Sequence, residues 1–201
     1  MTTPKNAPVE LSSDEGRCLV HLARMTIADR LMHPVKKEER RLLETELENP
    51  IFAYHCGTFV TLKNKGLLRG CIGSLSSDAP LRENVRQNAL HAAFHDPRFP
   101  PLGSDEFPLI EIEVSVLTPP SRLPYDGPDD LLERLRPGTD GVILRKGGAS
   151  ATFLPQVWKQ LPRREDFLSH LCLKAGLAAQ AWRKGDLQVE TYQVQYFEEG
   201  Q

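Results

Sequence analysis

Apolar residues along this chain switch repeatedly between a helical and a strand period. Leu19, Leu22, Ala23, Ile27 and Leu31 recur at helical spacing. Ser12, followed three residues later by Glu15, has the form of a capping box. Together they predict a helix from Ser12 to about Met32, stopping before Pro34. Lys36 to Glu48 is charged and carries Leu42, Leu43 and Leu47, which predicts a short surface helix with a solvated polar face. Asn49-Pro50 breaks the pattern. Residues 57–62 then read as a strand, Asn64-Lys65-Gly66 as a turn and 67–72 as the returning strand of a hairpin. Ser77-Asp78, with Pro80 in the first turn, predicts the cap of a second helix. Its buried stripe is Leu81, Val85, Ala89, Ala92 and Ala93, and it ends near Asp96. Residues 109–117 alternate, with Ile110, Ile112, Val114 and Val116 on one side and Glu111, Glu113 and Ser115 on the other.

The remainder follows a similar order. Pro119, Pro120, Pro124 and Pro128 mark an extended connector, and a short helix is predicted over 130–136. Residues 141–145 and 149–154 flank Lys146-Gly147-Gly148 as a second hairpin. A helix is predicted over 165–175, with Gly176 just past its end. A last strand spans 187–197, and its apolar parity changes between Val189 and Tyr192, which predicts a bulge. Hairpin, helix, strand thus occurs twice, over 57–117 and 141–197. The fold class expected is α+β: two subdomains, each with helices packed on an antiparallel-rich sheet. The expected organisation is a disordered tail over 1–10 and one domain over 11–201. Its two halves, roughly 11–120 and 121–201, would share a ligand-binding cleft.

Composition narrows the function classes. The 201 residues carry a formal net charge of −2, which argues against a general phosphate-binding surface and makes a nucleic-acid partner an unfavoured reading. Cys18, Cys56, Cys71 and Cys172 are scattered, without the spacing of a disulfide framework or a zinc site. That pattern predicts a reducing, cytoplasmic setting. Residues 1–10 have no apolar core of a signal peptide, and no apolar run approaches membrane-spanning length. No phosphate-cradling glycine loop and no serine elbow is present. No cofactor and no metal site is therefore assigned.

The chemistry concentrates in Leu68-Arg69-Gly70-Cys71-Ile72-Gly73. Glycine inside an apolar strand is costly and is kept where a bulge forms or where a backbone or ligand comes close. Alternation puts Arg69, Cys71 and Gly73 on one face, and a cation two positions from a thiol favours the thiolate. The alternative is a tightly packed strand with an inert thiol. Glu111 and Glu113 share a strand face and are candidate proton-transfer groups, so the catalytic candidates are Cys71, Glu111 and Glu113. Arg69, Gly70, Gly73 and Arg98 are candidates for substrate binding, Arg98 because it stands in a proline-stiffened loop; the alternative for Arg98 is a structural salt bridge to Asp96 or Asp105. His55, His91, His95 and His170 are all candidate partners of the thiol, and the sequence does not choose among them. His91 and His95 are four residues apart and could bind a divalent ion with Asp96; a solvated helix face explains them equally.

These motifs resemble the AMMECR domain family, whose prokaryotic members are called AmmeMemoRadiSam system protein A. The resemblance spans roughly residues 13–197 and rests on several segments in order. They are 68–73, the strand 57–62, Asp96-Pro97-Arg98-Phe99-Pro100-Pro101-Leu102, the strand 110–117, Phe153-Leu154-Pro155-Gln156-Val157-Trp158 and Phe167-Leu168-Ser169-His170-Leu171-Cys172. His95 stands where the family more often has Arg. The resemblance implies a two-part α+β fold with the 68–73 motif near a cleft, and no defined reaction. It also implies a pathway shared with Memo-type and radical SAM proteins. The resulting expectation is a cytoplasmic protein that binds an unidentified small molecule, either a cysteine-dependent enzyme or a non-catalytic accessory of those partners.

Overall fold

A computed structural model describes residues 10–200. The tail expected over 1–10 therefore lies outside the described residues, except for Glu10. The chain divides into two compact units. One runs to Pro119 and resumes at Gln195, and the other is Pro120–Val194. The boundary expected near residue 120 is thus crossed twice, because the chain returns to the first unit for its last strand.

The first unit contains the helices α1 (Ser13–Arg30), α2 (Lys37–Glu46) and α3 (Leu81–Phe94). Its strands are β1 (Thr58–Asn64), β2 (Leu67–Ser74), β3 (Ile110–Leu117) and the final β8 (Val194–Glu198). They form one sheet in the order β2-β1-β3-β8. The capping box of α1 is made as its sequence dictates: Ser12 accepts from the Glu15 N–H while the Glu15 carboxylate accepts from the Ser12 N–H. The helix α3 has no side-chain cap; Pro80 occupies the cap position, and the Ser77 hydroxyl accepts from the Ala79 N–H one turn earlier. The cap expected at Ser77-Asp78 therefore belongs to the preceding turn. Proline at position 80 fixes φ and lacks an N–H, so it starts the helix without a donor to satisfy.

Alternation along the strands separates two faces. Val60, Leu62, Ile112 and Val114 are buried on the face that packs against α1 and α3, with Leu19, Ile27, Leu81, Val85 and Ala89. Thr61, Cys71 and Glu113 are on the other face. The returning strand β8 is tied down by Arg24 of α1, which forms a two-pronged ion pair with Glu199 and also donates to the Phe107 and Ile110 carbonyls. The Glu199 carboxylate also accepts from the Ile112 N–H at 3.0 Å.

The second unit contains β4 (Ser121–Arg122), α4 (Gly127–Arg134), β5 (Gly141–Lys146), β6 (Ala149–Phe153), α5 (Arg164–Lys174) and β7 (Gln188–Tyr192). The sheet order is β4-β7-β5-β6. Its core is aromatic: Trp158 stacks on Phe167 with ring centroids 3.7 Å apart, and Trp182 is fully buried. Helix α5 ends in a Schellman turn at Gly176, whose φ of +75° places it in the left-handed region. The fold is α+β, with two four-stranded antiparallel sheets.

One expectation is corrected. The parity change between Val189 and Tyr192 does not mark a bulge in a single strand. The strand β7 ends at Tyr192 in the second sheet, and β8 begins at Val194 in the first. Within β7 the pairing with β5 is unbroken, so Val189 and Tyr192, three residues apart, are buried on opposite faces of the second sheet. A register irregularity occurs instead in the first hairpin: Leu62 pairs with Gly70 but Lys63 pairs with Leu68, which leaves Arg69 as the extra residue.

Candidate functional site around Cys71

The strand β2 lies at a sheet edge, so its outward N–H and C=O groups have no strand to pair with. At Cys71 two side chains take that place. The Asp96 carboxylate accepts from the Cys71 N–H at 2.9 Å, and Arg98 Nη2 donates to the Cys71 carbonyl at 3.1 Å. The pair is itself locked together. Arg98 Nε and Nη2 donate to the two Asp96 oxygens at 2.9 and 2.7 Å, and the Arg98 N–H donates at 3.1 Å. The Asp96 side chain is 2 % exposed, whereas that of Arg98 is 52 % exposed. The Arg98 guanidinium, helped by the Cys71 and Arg98 N–H groups and opposed by burial, holds the Asp96 carboxyl well below the usual carboxylate range. One acid and one base thus supply an acceptor and a donor where a neighbouring strand would, and they fix the backbone that carries the thiol.

The thiol has a partner on the neighbouring strand. Thr61 and Cys71 are opposite one another, and the Thr61 hydroxyl donates to Cys71 Sγ at 3.3 Å. Thr61 is also opposite Glu113 on β3. Cys71, Thr61 and Glu113 therefore form a row across three strands, on the face away from α1 and α3. Cys71 is partly exposed, while Cys18, Cys56 and Cys172 are buried. Burial pushes the Cys18 thiol up to about 12 and the Cys56 thiol up to about 11, and raises Cys172 as well.

Glu113 is 14 % exposed in its side chain and lies 2.9 Å from Lys63 Nζ, which is also 2.9 Å from Glu198. Burial raises the Glu113 carboxyl above its ordinary value; Lys63 opposes the rise and Glu198 adds to it. Glu111 is exposed and stands opposite Lys63, one step along from the row. Of the two glutamates read from the sequence, the fold puts Glu113 in line with Cys71.

Arg69 is held by the loop between α3 and β3. Its Nε and Nη2 donate to the Glu106 carboxylate at 2.6 and 3.0 Å, and Nη2 donates to the Pro100 carbonyl at 2.9 Å. Its Nη1 is buried without a protein partner. As the extra residue of the bulge it anchors the loop between α3 and β3. The cation that contacts the Cys71 backbone is Arg98. The guanidinium groups of Arg69 and Arg98 stand 5.8 and 5.5 Å from the Phe99 ring, which keeps the loop stiff.

The two glycines have packing explanations. A Cβ on Gly70 would lie 2.2 Å from the Ala92 carbonyl oxygen, so this residue lets α3 approach the sheet on the buried face. A Cβ on Gly73 would meet the Thr58 carbonyl at 2.2 Å and the Phe59 ring at 2.5 Å. Packing alone thus accounts for a glycine at both positions. The hydrogen-bond partners of Cys71 among the described residues are Thr61, Asp96 and Arg98, none of them a histidine. His95 caps α3, and its ring meets that of His91 edge-on at 5.6 Å. Among the described residues no group of three His, Cys, Asp or Glu could hold a metal ion. No described helix is long and apolar enough to cross a membrane. The ion pair of Arg98 with Asp96 is one of the alternatives that the sequence offers; that Asp96 also accepts from the Cys71 N–H is not readable from spacing, and the only signal for it is an acid at the end of a helix directly before proline.

Comparison with known proteins gives the family and the fold. The chain is 41 % identical over 196 residues to a protein of Methanothermobacter thermautotrophicus, covering 97 % of this chain and 98 % of that one. It is 40 % identical over 190 residues to a protein of Methanosarcina barkeri, covering 94 % and 92 %. The crystal structure of an uncharacterised protein from Pyrococcus horikoshii matches with a TM-score of 0.76 at 33 % identity, covering 98 % of this chain and 95 % of that one. The sequence model of the AMMECR1 family matches residues 20–197. With most of its length matched by that family and by relatives of this similarity, the chain belongs to the AMMECR1 family.

Proposed function

We propose that this chain binds a small molecule on the polar face of its first sheet and that Cys71 is the group that reacts with it. The observation that carries this reading is the row Cys71–Thr61–Glu113. A partly exposed thiol receives a hydroxyl hydrogen bond, with a half-buried carboxyl at the far end of the row. In this arrangement Thr61 stabilises charge on sulfur, and Glu113 exchanges a proton with the ligand. Arg98, exposed and fixed by Asp96, orients an anionic part of it. Arg69 stiffens the loop and does not touch the ligand.

Two thiol reagents of like size and unlike charge test this. Iodoacetate and iodoacetamide are applied to the native protein, and modification of Cys71 is followed by mass spectrometry. Modification of Cys71 by both is expected, with the iodoacetate-to-iodoacetamide rate ratio falling severalfold in Arg98→Gln. A ratio that Arg98→Gln leaves unchanged removes the anion role, and a Cys71 that neither reagent modifies removes the reactive-thiol reading.

A second reading, a non-catalytic accessory of Memo-type and radical SAM partners, is favoured by one feature. Leu67, Leu68 and Leu109 expose apolar surface near the end of the first hairpin. It predicts that co-purification with such partners survives Cys71→Ala and is lost in Leu67→Glu.

A further inference from the structure

We infer that Lys63 is a positioning residue for Glu113, holding its carboxylate in the Cys71 row by bridging it to Glu198 on the returning strand. The inference rests on the proposed role of the row and adds a residue that the sequence did not single out. Lys63 is on β1, two residues beyond Thr61, so its side chain rises from the same face. Its ammonium lies 2.9 Å from an oxygen of each glutamate. Glu113 comes from β3 and Glu198 from β8, so three neighbouring strands each supply one member. The Ser115 hydroxyl, 3.5 Å away, faces the second oxygen of Glu113. Glu111 is the next charged residue on the same strand face, and it is exposed to solvent.

The electrostatic consequence follows from the count of charges. With Lys63 in place, two carboxylates share one cation. Without it, two carboxylates face one another with nothing between them, and one takes up a proton. Lys63 therefore decides whether the end of the row is an anion able to accept a proton or a neutral acid. It also orients the carboxylate, because an ammonium held by two fixed acceptors has little freedom left.

The test reads Glu113 itself. Carboxyl carbon chemical shifts of protein labelled at glutamate are followed against pH, with Glu113→Gln assigning the signal. Lys63→Met is expected to move the Glu113 midpoint up, and Glu198→Gln to move it down, because that change removes the competing carboxylate. Lys63→Arg keeps the cation and is expected to leave the midpoint near that of the parent. Opposite shifts from the two neighbours are the signature, since a purely structural role for Lys63 would not produce them. An unmoved midpoint in both folded variants overturns the inference. If Lys63→Met does not fold, the result from Glu198→Gln decides. The readout does not involve the thiol, so a Cys71 that fails to react would sink the proposed function while leaving the Lys63 result to stand or fall separately.

Discussion

The hairpins β1–β2 and β5–β6 follow one plan up to a point, and their difference sets Cys71 and its row apart. Each turns over two residues, and each places its first strand between its partner and the strand that follows the next helix. Counted from the turns, Lys63 corresponds to Arg145 and Thr61 to Ile143. The strand beside them carries Glu113 in one unit and Glu190 in the other, and Lys63–Glu113 has its counterpart in Arg145–Glu190. Arg69, the extra residue of the bulge, offsets the second strands, so Gly70 corresponds to Ala151 and Cys71 to Thr152. Even the edge is managed alike: Arg98 donates to the Cys71 carbonyl, and Lys174 donates to the Thr152 carbonyl at 2.9 Å. What differs is the use of the side chain at that step. The Thr152 hydroxyl bonds to the Val142 carbonyl and to the Tyr192 hydroxyl, which closes it within its own unit. The Cys71 sulfur receives one hydrogen bond and stays partly exposed. The shared plan is architecture, and the bulge, the thiol and the Asp96 clamp are what the first unit adds.

Substitutions at matched positions should break this comparison in graded ways. Gly70→Ala is expected to have the largest effect, about 2–4 kcal/mol of lost stability, because its Cβ would collide with a helix backbone. The matched Ala151→Gly should cost only about 0.5–1 kcal/mol of backbone entropy. Urea denaturation of the parent and the two variants measures both; equal losses would deny the difference in packing. Asp96→Ala comes next, with roughly 2–3 kcal/mol lost, since it strips a buried acceptor from the Cys71 N–H and from Arg98. The matched clamp change, Lys174→Met, should cost under about 1 kcal/mol because Lys174 is exposed.

The Asp96 contribution also has a pH sign. Its folded value is depressed, so its stabilisation is present above the unfolded carboxylate range and is lost as pH falls from about 4 toward the folded value. The stability gap between parent and Asp96→Asn should therefore narrow in acid. A gap that stays constant down to pH ~2 would contradict the ionised clamp. Smaller still, Thr61→Val should slow alkylation of Cys71 severalfold, while Thr152→Val leaves it unchanged. The smallest effect compares helix ends. Both α1 and α5 close on a left-handed residue, Met32 with φ of 54° in one and Gly176 in the other. Met32→Gly is expected to stabilise the protein by about 0.5–1 kcal/mol, because an exposed non-glycine residue is strained there.

Much of the fold was legible because local signals and tertiary packing agree. The capping box at Ser12, the turn at Asn64-Lys65-Gly66, the alternation of β3 and the glycine after α5 each name their element without outside help. The repeat of element order was visible for the same reason. What failed depended on which faces of a strand are covered. The change of parity after Val189 looks the same in sequence whether a strand bulges or is buried on both faces, as β7 is at Val189 and Tyr192. The site was legible by residue type and not by partner. Cys71 and Glu113 were picked because strand alternation put them on polar faces, and the register then lined them up. The guanidinium of Arg69 is taken by a glutamate 37 residues away, a partner that spacing along the chain does not reveal. Asp96 was legible as a salt-bridge partner of Arg98 but not as the acceptor for the Cys71 N–H, which spacing along the chain does not reveal.

Site-resolved alkylation of the native protein by iodoacetamide bears most directly on the central claim that Cys71 is the open thiol of the polar row. The account predicts modification of Cys71 while Cys18, Cys56 and Cys172 stay unmodified until the protein is unfolded. Protection of Cys71 to the same degree as those three would contradict it.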